Sequence, residues 1–314
     1  MTAFEFRLRF RLPSTAFIAE QAEAILVNIP ESNQQILLQS RPANSLMETV
    51  LLEAIGSDFP SMETAVSSGR KIRDAIMVCC ALLGMGVEIG KHEEFFDETQ
   101  VRKAESSEQT YVQPYKIDGL LVYPQNVKIE YLGVNVSTRG GPPIEKFQRV
   151  FSKSYDLCNN LDSRLLLAFE IYNSHHFELS LQARFLQLIS VVECLAKRRR
   201  QKNVLINHIK RMVELSEQHL TVLEEVNRED IDNLIQRLND LKRESISSAC
   251  RNLILEHLGE EDATVFKECY KIRSKLTHEG TVPDRVDLAD FFFKLDYMLI
   301  QLLLSCLSRG AIDM

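Results

Sequence analysis

The sequence predicts an α+β protein in which a strand-rich half precedes a helical half. Residues 4–12 alternate apolar and charged side chains, which is the period of a strand with its charged face in water. After residue 143, apolar side chains recur every three or four positions, as in amphipathic helices. Two glycines and two prolines within residues 138–143 separate these halves. We therefore expect an N-terminal α+β domain with a mostly antiparallel sheet, residues 1–142, and a helical domain, residues 143–314.

The N-terminal half is expected to build its sheet around one long helix. Ser61 provides a hydroxyl N-cap with an acidic residue close behind it, and apolar residues follow at helical spacing up to Gly84. Residues 92–110 are polar and predict a surface loop. Further strands are predicted at residues 23–29, 35–39, 46–55, 119–123 and 127–136. The segment 46–55 is equally compatible with a helical start.

The C-terminal half is expected to form a helical bundle. Asp162 and Asp230 are candidate N-cap residues, and no internal repeat of fixed period is present. The predicted helices cover residues 144–159, 163–173, 180–197, 203–220, 229–242, 246–258, 262–277 and 287–308.

Composition favours a globular protein whose net charge does not attract nucleic acid. The chain has 314 residues, 45% of them hydrophobic and 26% charged, with a formal net charge of −7. Any contact with nucleic acid therefore requires a local basic patch. The N-terminus is not a signal peptide, because it alternates and carries an acidic residue. Uncharged apolar runs such as 297–307 are too short to span a membrane, so we expect no membrane association.

The cysteines indicate reduced thiols and no cofactor. The chain has 7 cysteines, an odd number, and only Cys79 and Cys80 are adjacent. None lies at metal-ligand spacing, and the pair His175 and His176 is not a ligand cluster by itself. A cytoplasmic protein with neither a metal nor another cofactor is expected.

Arg273 and His278 are the candidate catalytic residues. Residues 266–280 form an apolar-sided helical pattern that ends at Gly280, which places Arg273 in the last turns and His278 at or just past the end. A permanent cation beside a titratable imidazole suits a site that handles phosphate. The alternative is that the two cations only close the helix, where its dipole favours them.

Glu193 and Tyr270 are candidate supporting residues. Glu193 shares a helix face with apolar residues, and a carboxylate there is costly unless it is paired. It either forms a structural ion pair with a neighbouring arginine or orients Arg273, and the two roles are compatible. Tyr270, one turn before Arg273, either packs or hydrogen-bonds a substrate.

One dense basic run could contact phosphate. It is expected at the end of the helix that carries Glu193, either as a solvated helix terminus or as a phosphate-binding segment. No aromatic residue is interleaved, so base stacking is not expected. With a lysine close to Arg273, the candidate RNA-binding residues are Lys197, Arg198, Arg199, Arg200, Lys202 and Lys275.

Two segments of the helical half, residues 181–196 and 270–280, resemble in their order the HEPN superfamily (higher eukaryotes and prokaryotes nucleotide-binding). Residues 165–175 resemble its Apea-like and uncharacterised bacterial branches. The resemblance covers residues 145–309. It implies a helical bundle that forms a homodimer, in which two Arg-x4-His motifs face each other.

The resemblance also implies a function. Many members are metal-independent endoribonucleases that act as toxins or as effectors of antiphage defence. Others are non-catalytic scaffolds that bind nucleotide, RNA or a protein partner. Arg273 and His278 would then act on the RNA phosphate, while the N-terminal domain binds a regulatory partner. The residue after the arginine, commonly Asn, Asp or His in the superfamily, is Ser274 here.

Overall fold

The computed structural model describes residues 3–29, 35–40, 45–96, 119–125, 141–219, 228–282 and 286–310. The predicted strand at 127–136 and most of the predicted loop at 92–110 lie outside these residues. The chain divides into two compact units: a first unit of residues 1–191 and 299–314, and a second unit of residues 192–298. These units do not coincide with the predicted domains 1–142 and 143–314, and that division stays a prediction.

The α+β class is confirmed, and the first unit holds the sheet. Within the described residues the strand order is β2-β3-β4-β1-β7-β6, and β5 pairs with β1 off this path. All pairs are antiparallel except β6 with β7, which is parallel. The strands are β1 (Phe4–Arg11), β2 (Ala24–Asn28), β3 (Gln35–Ser40), β4 (Leu51–Phe59), β5 (Glu88–Ile89), β6 (His92–Phe95) and β7 (Gly119–Pro124).

The apolar face of the sheet packs against helix α1 (Met62–Leu82). Phe6, which is fully buried, pairs with Gly56 of β4. A Cβ atom on Gly56 would lie 2.3 Å from the Phe6 ring, and one on Gly69 of α1 would lie 2.5 Å from Leu120. Both glycines therefore allow a close approach that any side chain would prevent.

Helix α1 begins as the sequence predicts. The Ser61 Oγ atom accepts a hydrogen bond from the backbone N–H of Thr64, and the Thr64 Oγ1 atom accepts one from the backbone N–H of Ser61, both at 3.2 Å. This capping box satisfies two N–H groups that a helix start leaves unpaired. Helices α2 (Ile144–Leu157) and α3 (Ser163–Ser174) pack on α1 within the same unit.

One edge of the described sheet is contacted by a side chain of α2. The edge strand β2 pairs on one side with β3. The Gln148 Nε2 atom of α2 donates a hydrogen bond of 3.3 Å to the carbonyl oxygen of Leu26 in that strand. The predicted cap of α3 is also present, with Asp162 Oδ1 accepting from the N–H of Leu165 at 2.7 Å.

In this unit one open alternative is decided and two predictions need correction. Residues 46–48 form a 3-10 turn, and only Leu51–Phe59 is a strand. His92–Phe95 is a strand rather than a loop, because its main chain pairs with β7 although its side chains are polar. The charged face of β1 is partly buried rather than in water, since Arg9 is 2% exposed and its partner Glu53 is 0% exposed.

The second unit is helical. Helix α4 (Leu181–Leu195) reaches it from residue 192 onwards, and helix α9 (Leu288–Gly310) contributes residues up to 298. Between them, α5 packs on α6 and α7 packs on α8. Their bounds, close to those predicted, are α5 (Asn203–His219), α6 (Arg228–Asp240), α7 (Ile246–His257) and α8 (Glu260–Glu279).

Helix α9 is the one described helix that is long and apolar enough to cross a membrane, with a mean hydropathy of 1.5 over Leu288–Ser308. The prediction concerned uncharged runs, whereas this helix includes Asp290, Lys294 and Asp296. A single such helix is a weak indication, because the core helix of a soluble protein has the same composition. Phe292, Leu295 and Leu299 are buried in the structure, which is compatible with a soluble protein.

Candidate functional site

Glu193, Tyr270 and Arg273 meet in the second unit. The Tyr270 hydroxyl donates a hydrogen bond of 2.8 Å to Glu193 Oε1. The same carboxylate oxygen lies 3.4 Å from Arg273 Nη2. The Arg273 Cζ atom lies 5.6 Å from the centroid of the Tyr270 ring, within the range of a cation–π interaction. The arginine that Glu193 was expected to need is therefore Arg273.

Helical spacing and packing fix this cluster. Tyr270 and Arg273 are three residues apart on α8, which places them on neighbouring positions of one face. The rotation of α8 is set by the buried residues Phe266, Cys269 and Ile272. The Tyr270 ring also contacts the Phe266 ring, with centroids 5.9 Å apart. The Tyr270 ring that lies against Arg273 therefore also packs against Phe266, on the buried face of α8.

The cluster holds Tyr270 and the nearby thiol in their neutral forms. Burial raises the pKa of Tyr270, and the hydrogen bond to Glu193 and the charge of Glu193 raise it further. Burial, with a smaller contribution from the charge of Glu193, raises the pKa of Cys250 on α7 to about 12. Tyr270 is therefore a neutral hydrogen-bond donor at physiological pH, and Cys250 is a protonated thiol rather than a nucleophile.

Arg273 keeps unused hydrogen-bonding capacity. Its side chain is 29% exposed and that of Glu193 is 23% exposed. At 3.4 Å the ion pair is loose, and no hydrogen bond joins the guanidinium to a described residue. A guanidinium that is fixed in position and still open to solvent can bind phosphate oxygens through two parallel N–H groups.

His278 lies in the last turn of α8, and Gly280 with φ 69° ends the helix. Its side chain is exposed and forms no hydrogen bond or ion pair with the described residues. Five residues of α-helix turn through about 140°, so one chain does not present Arg273 and His278 on the same face. Ser274 is partly exposed and Lys275 is exposed, and neither side chain bonds to a described residue.

The basic run is a loop and not the end of a helix, because α4 ends at Leu195. Arg198 donates from Nε to the Glu244 carbonyl oxygen at 2.7 Å and from Nη2 to the Asp240 carbonyl oxygen at 3.2 Å. Arg199 pairs with Glu256 at 2.7 Å. These two arginines thus fasten the loop to the connection between α6 and α7. Predicting them as RNA ligands is not supported by these contacts.

The other cations of the run are differently placed. Lys197, Arg200 and Lys202 are exposed, and their side chains form no hydrogen bond or ion pair with a described residue. They are the members of the predicted RNA-binding set, with Lys275, whose charge is available to a partner. Local sequence does not separate them from Arg198 and Arg199, since all five stand in one charged run.

The rings of the histidine pair in the first unit pack against each other. His175 is fully buried, and its ring centroid lies 3.9 Å from that of His176. Burial lowers the pKa of His176 to about 3, with further lowering by the charges of His175 and Arg184. No group of three or more potential ligands is found within the part of the chain that the structure describes.

A pocket of about 650 Å³ in the first unit was not predicted. Arg11 and Lys91 on its wall are paired with Glu88 and Glu170, which also line it. The strand β5, which supplies part of the wall, is only two residues long and gives no pattern in the sequence. Because its cations are already neutralised, the pocket indicates no particular ligand.

Comparisons with protein-family models, with curated proteins and with solved structures find no match for this chain. The likeness to the HEPN superfamily thus rests on residues 181–196 and 270–280 of the sequence. The structure adds that these segments supply one cluster, Glu193 with Tyr270 and Arg273. The cluster offers a positioned cation, and α8 offers an exposed imidazole in its last turn.

Proposed function

We propose that this protein is a metal-independent endoribonuclease of the HEPN type that acts as a homodimer. The observation that carries the proposal is Arg273, which Glu193 and Tyr270 position while its guanidinium stays open to solvent. The exposed imidazole of His278 on the same helix supports it. A toxin or an effector of antiphage defence in the cytoplasm is the expected setting.

The proposed reaction is an attack of the ribose 2′-hydroxyl on the adjacent phosphorus. A base removes the hydroxyl proton, the new O–P bond forms, and the bond to the 5′-oxygen breaks as an acid protonates that oxygen. The products are a 2′,3′-cyclic phosphate and a free 5′-hydroxyl. Arg273 holds the phosphate oxygens and stabilises the charge that develops in the crowded phosphorane.

A homodimer resolves the geometry of the two motif residues. The motif of one chain supplies a single imidazole, whereas the reaction uses a base and an acid. Two copies of His278 divide these roles when two motifs face each other. The pairing also lets Arg273 of one copy act with His278 of the other. This arrangement is favoured because Arg273 and His278 of a single chain lie on different faces of α8.

RNA cleavage in the presence of a chelator tests the proposal. Wild-type protein is expected to leave 2′,3′-cyclic phosphate ends. His278→Ala should lower the rate by about 10²- to 10⁴-fold, and Arg273→Ala by about 10²- to 10³-fold. Equal behaviour of wild type and His278→Ala on RNA would remove the catalytic role.

A second candidate is a non-catalytic dimeric module that binds nucleotide, RNA or a protein partner. The contacts of Arg273 with Glu193 and Tyr270 favour it, because they also suit a purely structural role. Ser274 departs from the residues common in the superfamily. Under this candidate, Arg273→Ala weakens binding or dimerisation and leaves growth of cells that overexpress the protein unchanged. Growth arrest by wild type alone would favour the nuclease.

A further inference from the structure

The fold places a second basic segment beside the basic run. Arg200 and Arg243 form an antiparallel backbone bridge. On either side of it, the N–H of Gln201 donates to the Lys242 carbonyl at 2.9 Å and the N–H of Glu244 donates to the Arg199 carbonyl at 3.0 Å. The loops before α5 and after α6 are therefore joined through their main chains.

This bridge brings two like charges together. Residues directly opposite each other in an antiparallel pair project on the same face, with Cβ atoms about 5 Å apart. Arg200 and Arg243 are both exposed, and neither side chain has an acidic partner among the described residues. Like charges in this arrangement are destabilising. The position is therefore unfavourable for the free protein unless an anion neutralises it.

Two carboxylates of this region, those of Glu244 and Glu256, are already engaged. Glu244 accepts hydrogen bonds from the N–H of Arg199 at 2.8 Å and from Asn252 Nδ2 at 2.9 Å. Glu256 pairs with Arg199. Four exposed cations without a described partner remain, and we name them the basic ridge: Lys197, Arg200, Lys202 and Arg243. The ridge stands out in a chain whose net charge is −7.

We propose that the basic ridge binds the phosphate backbone of the RNA that reaches Arg273, an inference that rests on the proposed function. The guanidinium groups of Arg200 and Arg243, held side by side by the backbone bridge, can each bind one of two neighbouring phosphates. The negative charge of the phosphates then removes the repulsion between the two arginines. Seven residues separate Glu193 from Arg200, so their Cα atoms lie within about 25 Å. No ridge residue is aromatic, so the contact follows the backbone and not the base sequence.

Binding of labelled single-stranded RNA of mixed sequence, measured by fluorescence anisotropy at several salt concentrations, tests this inference. All proteins carry His278→Ala so that the RNA stays intact. The ridge variant is Arg200→Gln with Arg243→Gln. The control is Lys146→Gln with Arg149→Gln, which removes the same charge from two exposed positions on α2 whose side chains form no hydrogen bond or ion pair with a described residue.

The ridge variant should bind about 25-fold more weakly at 0.1 M salt, because each phosphate contact on a single strand contributes a slope of about −0.7. The slope of log affinity against log salt should become shallower by about 1.4. The control should change neither value. Thermal unfolding should show a ridge variant at least as stable as wild type, since the repulsion between the arginines is relieved.

Equal binding by the ridge variant and the control would overturn the inference. Cleavage by the protein with His278 intact separates this result from the proposed function. If cleavage depends on His278 while the ridge variant binds RNA normally, the proposed role of the basic ridge is wrong and the proposed nuclease function stands. If RNA binding depends on the ridge but no cleavage occurs, RNA binding by the basic ridge is supported and the proposed ribonuclease function is wrong.

Discussion

Two arginine–glutamate pairs, one in each unit, differ in what they leave available. In the sheet, Arg9 Nε and Glu53 Oε1 are 3.1 Å apart and their side chains are 3% and 0% exposed. In the helical unit, Arg273 and Glu193 are 3.4 Å apart and 29% and 23% exposed. The first pair neutralises charge inside the protein. The second pair positions an arginine whose remaining donors face solvent, which is what recognition of phosphate requires.

The largest expected effect is the loss of the carboxylate from the buried pair. Glu53→Ala should lower the free energy of unfolding by about 3–5 kcal/mol, because it removes a carboxylate that faces the buried guanidinium of Arg9. Denaturant titration measures this effect. Replacing both partners, with Arg9→Met and Glu53→Leu, should recover most of the stability. A double variant as unstable as Glu53→Ala would contradict this explanation.

The histidines extend the comparison, since His176 is half-buried in the first unit and His278 is exposed in the second. The pKa of His176 is lowered to about 3 in the folded chain, whereas the unfolded chain binds a proton near pH 6.5. Stability from this group is therefore present above pH 6.5 and falls as the pH is lowered. We expect a loss of about 2 kcal/mol between pH 7 and pH 5 that His176→Gln abolishes. An unchanged pH profile in that variant would refute the assignment.

For the exposed pair we expect a small effect on stability and a larger one on activity. Glu193→Gln should change the free energy of unfolding by less than about 1 kcal/mol, because an ion pair open to solvent contributes little. Under the proposed function, the cleavage rate at saturating RNA should fall roughly 10- to 100-fold, since Arg273 is less well oriented. A loss of stability as large as that of Glu53→Ala would assign the pair a structural role.

For Tyr270 we expect a modest effect on stability alone. Tyr270→Phe removes the hydrogen bond to Glu193 and should cost about 1 kcal/mol. The folded pKa of Tyr270 is raised, so its contribution is complete below about pH 10 and declines above it. Unfolding measured at pH 8 to 11 should show a steeper decline for wild type than for the variant. Parallel curves would mean that the phenol is not perturbed.

Local pattern predicted the helices and strands well, because their apolar periods and end signals act over a few residues. Ser61 as a cap and Gly280 as a stop show this. Glu193 could also be identified, since a carboxylate in an apolar stripe needs a counter-charge. The strand His92–Phe95 was missed because only its main-chain pairing with β7 defines it.

The roles within the basic run depended on long-range contacts. Arg198 and Arg199 bind groups more than 40 residues further along the chain, at Asp240, Glu244 and Glu256. Nothing within the run distinguishes them from Arg200, whose backbone partner is Arg243. Charge density therefore predicts where a basic surface lies, whereas the fold decides which of its cations remain available.

The hydrogen bond from Gln148 to the Leu26 carbonyl has a consequence for self-association. An unpaired edge strand is a template on which a strand of another molecule can extend the sheet. Gln148 occupies a carbonyl that such a strand would use, so α2 protects β2 against intermolecular pairing at that point. Pairing of two copies through this carbonyl of β2 is thereby disfavoured.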